Sequence, residues 1–158
     1  MPNPTRILFV CLGNICRSPA AEGVFAHLAS QAGVRDQFAI DSAGTIGFHA
    51  GAPADGRMRA AARPRGYELR SVSRPVTEED FETYDLLLAM DRSNFYELRE
   101  RAPADARERI QLFSEAALGE QWDVPDPYYG GETGFEKVLD QLERGCAALL
   151  AKYRNAAS

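Results

Sequence analysis

Residues 6–22 read RILFVCLGNICRSPAAE. After its arginine, the run RILFV (6–10) is continuously apolar, which is typical of a strand covered on both faces of a parallel sheet. The pair Ser18-Pro19 predicts a helix start, with serine as the N-cap and proline at the first helical position. The stretch therefore predicts a buried strand, a tight turn that begins at Cys11, and a helix.

The rest of the chain continues this alternation of strands and helices. Further strands are predicted at 38–44, 85–90 and 108–113, and helices at 55–65, 77–81, 91–101 and from 135 onward. Alternating strands and helices form parallel sheets. The sequence therefore predicts a single α/β domain over residues 1–158, with a four-stranded parallel sheet flanked by helices on both faces. Such sheets bind their ligands beyond the carboxyl ends of the strands, so we expect the site in those loops.

Composition limits the possible function classes. The chain has 158 residues, of which 45% are hydrophobic and 26% charged, and this profile is typical of a soluble globular protein. No apolar run approaches the roughly 18 residues that span a bilayer, and the N-terminal MPNPTR does not resemble a signal peptide. We expect a cytoplasmic protein without membrane association. The net charge of -5 does not favour nucleic-acid binding.

The cysteines and histidines of the sequence predict neither a metal site nor a set of structural disulfides. The cysteines are Cys11, Cys16 and Cys146, and this odd count without a secretory signal argues against structural disulfides. With only two histidines and no paired CxxC spacing, a structural zinc site is not expected, and we predict no metal and no cofactor. Cys146 falls on the apolar stripe of the last helix and is predicted to lie in the core.

The turn after the first strand differs from the two common nucleotide loops. A Walker A loop requires a Gly-Lys pair, which the chain lacks, and a dinucleotide fingerprint requires three glycines where this turn has only Gly13. What remains is a cysteine, five residues, an arginine and a serine, from Cys11 to Ser18.

This spacing is suited to binding a phosphate group. Successive backbone N–H groups of a tight turn, together with the helix N-terminus, form a nest for an anion. The planar guanidinium of Arg17 can hold two phosphate oxygens, and the positive field favours the thiolate form of Cys11. A thiolate under a bound phosphorus supports phosphoryl transfer through a cysteinyl-phosphate. Alternatively, Cys11 alone could be a small buried side chain at a strand end.

Four segments resemble, in the same order, those of the low-molecular-weight protein tyrosine phosphatases. They are CLGNICRSP (11–19), DSAGT (41–45), AMDRSN (89–94) and DPYYGG (126–131). The resemblance implies metal-independent hydrolysis of phosphotyrosine, with Asp126 as the general acid and then the base for the attacking water. It implies phosphotyrosine proteins as partners, phosphate, vanadate or sulfate as active-site anions, and a monomer or weak self-association.

The resemblance also assigns roles around the loop. Asn14 resembles a residue that braces a left-handed turn, and Ser42 resembles its partner. Ser18 could stabilise the Cys11 thiolate through its hydroxyl, or it could be only a helix cap. The predicted phosphate-loop residues are Leu12, Gly13, Asn14, Ile15, Cys16 and Ser18, with Leu12 and Ile15 forming an apolar floor.

Aromatic side chains are expected to form the walls of the substrate slot. Tyr128 and Tyr129 resemble the aromatic wall of the family, and Phe48 stands on the opposite rim. Cys16 resembles a thiol that traps an oxidised Cys11 as a reversible disulfide, although it could be a buried spectator. The sequence departs from the family at Ser71, where many relatives carry a histidine that braces the loop.

Three other functions fit parts of the pattern. A thiol-dependent arsenate reductase on the same fold needs further cysteines near the third strand, and residues 80–100 contain none. A protein arginine phosphatase has a small threonine where this chain has Ile15. A non-catalytic phosphoprotein-binding module would keep the nest and Arg17 but has no need of both Cys11 and Asp126.

Overall fold

The computed structural model describes residues 3–128 and 132–155, and it contains the predicted four-stranded sheet. All strand pairs are parallel, in the order β2-β1-β3-β4. The strands are β1 (Thr5–Cys11), β2 (Phe38–Gly44), β3 (Leu86–Ala89) and β4 (Ile110–Leu112).

The helices follow the predicted alternation, with one addition. They are α1 (Arg17–Gln31), α2 (Gly56–Ala62), α3 (Glu78–Thr83), α4 (Arg92–Arg101), α5 (Phe113–Leu118) and α6 (Glu132–Tyr153). Short 3₁₀-helical segments lie at Arg35–Gln37, Arg63–Arg65 and Ala104–Arg109. The strand predicted at 108–113 is shorter than expected, because the 3₁₀ segment occupies its start and Phe113 begins α5, a helix that we did not predict.

Apolar side chains cover both faces of the sheet, which confirms the predicted layers. Ile7 and Phe9 of β1 belong to a cluster that includes side chains of α1, α2, α5 and α6. Leu8 and Val10 point to the other face, where they pack with residues of α3 and α4. Cys146 is fully buried in the first of these clusters, as predicted.

The strand order places the site beside β1. The chain moves from β1 to β2 on one side and then to β3 on the other, and such switch points open a crevice at the carboxyl ends of the strands. Gly44, at the end of β2, lies so close to the turn after β1 that a Cβ atom there would be 2.7 Å from the Leu12 carbonyl oxygen. Among the described residues, none of the helices is long and apolar enough to cross a membrane.

Candidate active site

The phosphate loop, residues 11–17, is attached to its surroundings through its carbonyl groups. The carbonyl oxygens of Cys11, Leu12, Gly13 and Ile15 accept hydrogen bonds from Thr45 N at 2.9 Å, Ile46 N at 3.1 Å, Ser73 Oγ at 2.9 Å and Asp55 N at 2.7 Å, respectively. Within residues 3–128 and 132–155, no backbone N–H of residues 12–16 has a hydrogen-bond partner in the protein. These N–H groups are therefore available to an anion, as in other backbone nests.

Asn14 holds the sharpest point of this loop. Its φ of 57° lies in the left-handed region, which asparagine tolerates better than most residues. Its buried side chain donates from Nδ2 to Ser18 Oγ at 2.8 Å and accepts at Oδ1 from the backbone N–H of Arg74 at 3.0 Å. One side chain thus links the C-terminal end of the turn to the segment before α3.

The structure does not bring Ser42 to Asn14, so the prediction that they are partners is wrong. The Ser42 hydroxyl donates instead to Oε1 of Glu22 at 2.6 Å. Burial raises the pKa of the Glu22 carboxyl, although the hydrogen bond from Ser42 opposes that shift. Ser71 forms no hydrogen bond in the described structure, and the loop is braced instead by Ser73 and Arg74.

Ser18 lies beside the sulfur of Cys11 rather than capping the helix. Helix α1 begins at Arg17, and its N-cap, Cys16, makes no side-chain capping bond, so the prediction of Ser18 as the N-cap is wrong. Ser18 Oγ is 3.1 Å from Cys11 Sγ, and both residues are buried. Because Ser18 Oγ accepts a hydrogen bond from Asn14, its own proton can be donated to the sulfur.

Arg17 is fixed by an acidic residue that the sequence analysis missed. Its Nη1 donates to Asp91 Oδ2 at 2.6 Å and to the Val124 carbonyl at 3.0 Å, and only 2% of the residue is exposed. Burial lowers the pKa of this guanidinium, but Cys11, Asp91 and Asp126 raise it by more, so the net shift is upward. The arginine is therefore a fixed cation. The missed signal was the position of Asp91 just after β3, beside the end of β1.

Asp126 stands at the mouth of the site. Its Oδ1 accepts from the backbone N–H of Tyr128 at 3.0 Å, and its Oδ2 is 3.6 Å from Arg17 Nη2. The side chain is 37% exposed, in contrast to the buried Arg17. The carboxyl group can thus meet the leaving oxygen of an ester whose phosphate lies on the loop.

A cavity of about 260 Å³ lies above the phosphate loop. Its lining residues are Cys11, Leu12, Gly13, Ile15, Cys16, Arg17, Ile46, Phe48, His49, Asp126 and Tyr128. It therefore contains most of the predicted site residues. A second cavity, of about 510 Å³, lies against α1 and residues 66–71, but neither Cys11 nor Arg17 lines it.

Aromatic rings form the rim of the smaller cavity. Phe48 is 82% exposed, and its ring centroid is 4.9 Å from that of His49. The ring of His49, a residue that the sequence analysis missed, also lies near Tyr128, with 5.9 Å between the two ring centroids. The sequence signal for His49 was its position directly after Phe48, a predicted wall residue. Tyr129, the other predicted wall residue, lies outside the described residues.

Cys16 is a second thiol in the same cavity. It is 3% exposed, and all cysteines that the structure describes are free. Burial raises the pKa of the Cys16 thiol, and the negative charges of Asp55, Cys11 and Asp126 raise it further. Cys16 is therefore protonated at neutral pH.

Comparisons with known proteins agree with this geometry. The family model described as "Low molecular weight phosphotyrosine protein phosphatase" matches residues 6–157. A putative low molecular weight protein-tyrosine-phosphatase of Synechocystis is 43% identical over 148 residues, which cover 92% of this chain and 94% of the relative.

Solved structures of similar proteins share the fold. A protein tyrosine phosphatase of Entamoeba histolytica, crystallised with Hepes in its active site, is 45% identical with a TM-score of 0.89, covering 94% of this chain and 96% of the other. The YwlE arginine phosphatase, with a phosphorylated serine in its active site, is 31% identical with a TM-score of 0.83, covering 95% and 98%. Bacillus subtilis is the source of another YwlE structure among the matches. The chain belongs to the low molecular weight phosphotyrosine protein phosphatase family.

Proposed function

We propose that this protein hydrolyses phosphotyrosine through a phosphorylated Cys11. The observation that carries the proposal is the position of the Cys11 sulfur in a loop with a fixed arginine, where the N–H groups of residues 12–16 have no protein partner in the described part of the chain. The Cys11 thiolate forms a bond to phosphorus while the bond to the tyrosine oxygen breaks, and Asp126 protonates that oxygen. Water then attacks the cysteinyl-phosphate, Asp126 accepts its proton, and inorganic phosphate leaves as the thiolate is restored.

Charge stabilisation on the loop supports both chemical steps. The N–H groups of residues 12–16 and the guanidinium of Arg17 would bind the three non-bridging phosphate oxygens in the transition state. Asp91 and the Val124 carbonyl hold Arg17 in place before substrate arrives, so little reorganisation is needed. The Ser18 hydroxyl can donate to the sulfur when Cys11 is a thiolate. This hydrogen bond makes the Cys11 thiolate a better leaving group in the second step. Phosphate, vanadate and sulfate should compete for the same site.

The cavity favours an aryl phosphate over phosphoarginine. The arginine phosphatase among the similar structures makes phosphoarginine the second candidate substrate. Ile15 lines the cavity here. Because arginine phosphatases have a smaller threonine at this position, Ile15 should narrow the space beside the phosphate. Rings of Phe48, His49 and Tyr128 then offer flat apolar surfaces to a phenyl group.

Initial rates on a phosphotyrosine peptide and a phosphoarginine peptide of the same sequence, with EDTA present, test this proposal. We expect fast phosphate release from phosphotyrosine only, and none from the Cys11→Ser variant. A preference for phosphoarginine would keep the loop chemistry but contradict the role of Ile15 and the rings. Release from neither peptide would overturn the enzymatic proposal and favour a phosphoprotein-binding module.

The cellular setting stays a prediction from the sequence. We propose phosphotyrosine proteins as partners, a cytoplasmic location, and a monomer or weak self-association. The trapping of oxidised Cys11 by Cys16 is also a proposal, and it is supported by the presence of both buried residues in one cavity.

A further inference from the structure

Arg57, on the first turn of α2, is held in a fixed orientation at the edge of the active site. Its Nε and Nη2 donate to the two carboxylate oxygens of Asp55 at 3.2 and 3.0 Å. Asp55 in turn caps α2 by accepting from the backbone N–H groups of Arg57 and Met58. A bidentate pair of this kind limits the rotamers of the arginine and fixes the plane of its guanidinium.

The same pair is attached to the phosphate loop. The backbone N–H of Asp55 donates to the Ile15 carbonyl at 2.7 Å, which is one of the bonds that keep the loop carbonyls away from the anion site. Asp55 is well covered, with only 10% of its side chain exposed, whereas the side chain of Arg57 is 48% exposed. Arg57 therefore extends from a fixed anchor towards solvent.

Two aromatic rings contact this guanidinium. The Cζ atom of Arg57 is 5.2 Å from the ring centroid of Tyr128 and 4.9 Å from that of Phe135. Phe135 is buried on α6, so it is part of the rigid core. Tyr128 belongs to the segment that carries Asp126. Cations at such distances from ring centroids attract the ring electrons, so Arg57 connects Tyr128 to the fixed body of the protein.

Tyr128 also determines how Asp126 is oriented. The backbone N–H of Tyr128 donates to Asp126 Oδ1 at 3.0 Å, while Oδ2 faces Arg17. A shift of Tyr128 would therefore turn the carboxyl group away from the leaving oxygen. Asp126 is exposed, and among the described residues few contacts besides the Tyr128 N–H and Arg17 hold its carboxyl in place.

We propose that Arg57 is a positioning residue for the general acid, acting through Tyr128 on Asp126. The inference rests on the proposed function, in which Asp126 protonates the leaving oxygen. It predicts that loss of Arg57 slows the reaction only where protonation of the leaving group matters. Phosphate binding and attack by Cys11 depend on other contacts and should be preserved.

The test compares kcat/KM for phenyl phosphate, which has a poor leaving group, and for p-nitrophenyl phosphate, which has a good one. For Arg57→Gln we expect a loss of about 10-fold on phenyl phosphate and less than about 2-fold on p-nitrophenyl phosphate. Arg57→Lys keeps the cation but not the planar fork, and it should fall between Arg57→Gln and the wild type. The control Arg63→Gln removes an exposed arginine from the segment that follows α2, and it should leave both rates unchanged.

A double-mutant cycle with Asp126→Asn separates the inference from the proposed function. If Arg57 acts through Asp126, adding Arg57→Gln to Asp126→Asn should cause no further loss on phenyl phosphate. An equal loss on both esters, no loss on either, or the same factor in both backgrounds would overturn the role of Arg57. If Asp126→Asn itself shows no leaving-group dependence, the acid role fails and the inference fails with it.

Discussion

The phosphate loop (residues 11–17) and the acid loop (residues 124–128) meet over the same cavity but are held very differently. Carbonyl groups of the phosphate loop accept hydrogen bonds from three other segments of the chain. The Asn14 side chain also forms a hydrogen bond to Ser18 across the turn. The acid loop places Asp126 at 37% side-chain exposure, with one backbone bond and an ion pair to Arg17 at 3.6 Å.

The difference corresponds to two chemical tasks. Binding a dianion and stabilising its transition state require donors that do not move, which a buried and satisfied hydrogen-bond network provides. Protonating a leaving oxygen and then deprotonating water require one carboxyl group that meets two different partners. A lightly held, partly exposed side chain can do both. The two loops should therefore respond differently to substitution.

Replacement of Asp126, the general acid, should lower activity more than replacement of Asn14, Cys16 or Glu22. Asp126→Ala should lower kcat/KM for phenyl phosphate by about 10² to 10⁴, and by less for p-nitrophenyl phosphate, because only the poor leaving group needs a proton. Vanadate inhibition should change by less than about 3-fold, since the phosphate loop is intact. A parallel loss of vanadate affinity would show that the two loops are not separable.

Replacement of the loop brace should affect every ester alike. Asn14→Ala removes the bonds to Ser18 and to the Arg74 N–H and puts alanine at a left-handed φ. We expect a loss of about 10- to 100-fold in kcat/KM on both esters, since the donors of the loop are no longer fixed. The free energy of unfolding should fall by about 2–4 kcal/mol, from lost hydrogen bonds and backbone strain.

Asn14→Gly is the matched control for this prediction. Glycine adopts the left-handed backbone conformation without strain. The Asn14→Gly variant should therefore be more stable than Asn14→Ala, while its loss of activity should be similar. Thermal melting and the two ester rates measure both properties. A leaving-group dependence in either variant would contradict the assignment of Asn14 to the phosphate loop alone.

Oxidation tests the second thiol of the phosphate loop. After peroxide treatment, wild-type activity should return with added thiol, whereas Cys16→Ser should recover a much smaller fraction of its own starting rate. Because burial raises the pKa of Cys16, the attacking thiolate is scarce, and the reversible disulfide should form faster as pH rises from about 6 to about 9. Equal recovery in Cys16→Ser would leave Cys16 as a buried spectator.

The smallest effect is expected at Glu22, on α1. Its carboxyl pKa is raised in the folded state, so the neutral form is preferred there. Its contribution to stability is therefore complete below the unfolded pKa and is lost as pH rises through the folded one. Glu22→Gln should melt about 1–3 °C higher than wild type at neutral pH and show a smaller dependence on pH. A lower melting temperature at neutral pH would contradict this.

Local signals account for the parts of this molecule that the sequence predicted well. The apolar run of β1, the turn from Cys11 to Arg17 and the alternation of strands and helices each occupy a short stretch of chain. They were enough for the parallel sheet and for the nucleophile and the arginine beside one cavity, whereas the role of Asp126 came from the family resemblance.

Contacts between distant segments account for the errors and omissions. Asp91 and Val124 lie 74 and 107 residues from Arg17 in the sequence, and Arg74 lies 60 residues from Asn14. No local pattern fixes such pairs: the pairing of Ser42 with Asn14 rests on the family resemblance, and the only signal for Asp91 is its position just after β3. Ser18 has the local signature of an N-cap, but its hydroxyl contacts the Cys11 sulfur across the turn instead.

The most direct test of the account is to trap the phosphorylated enzyme. Wild-type protein turning over p-nitrophenyl phosphate is denatured rapidly in acid, and the peptide that contains Cys11 is examined by mass spectrometry. We expect one phosphate on the Cys11 sulfur, and none on the same peptide of Cys11→Ser treated identically. Turnover without a phosphorylated peptide, or with the phosphate on Ser18, would contradict the assignment of Cys11 as the nucleophile.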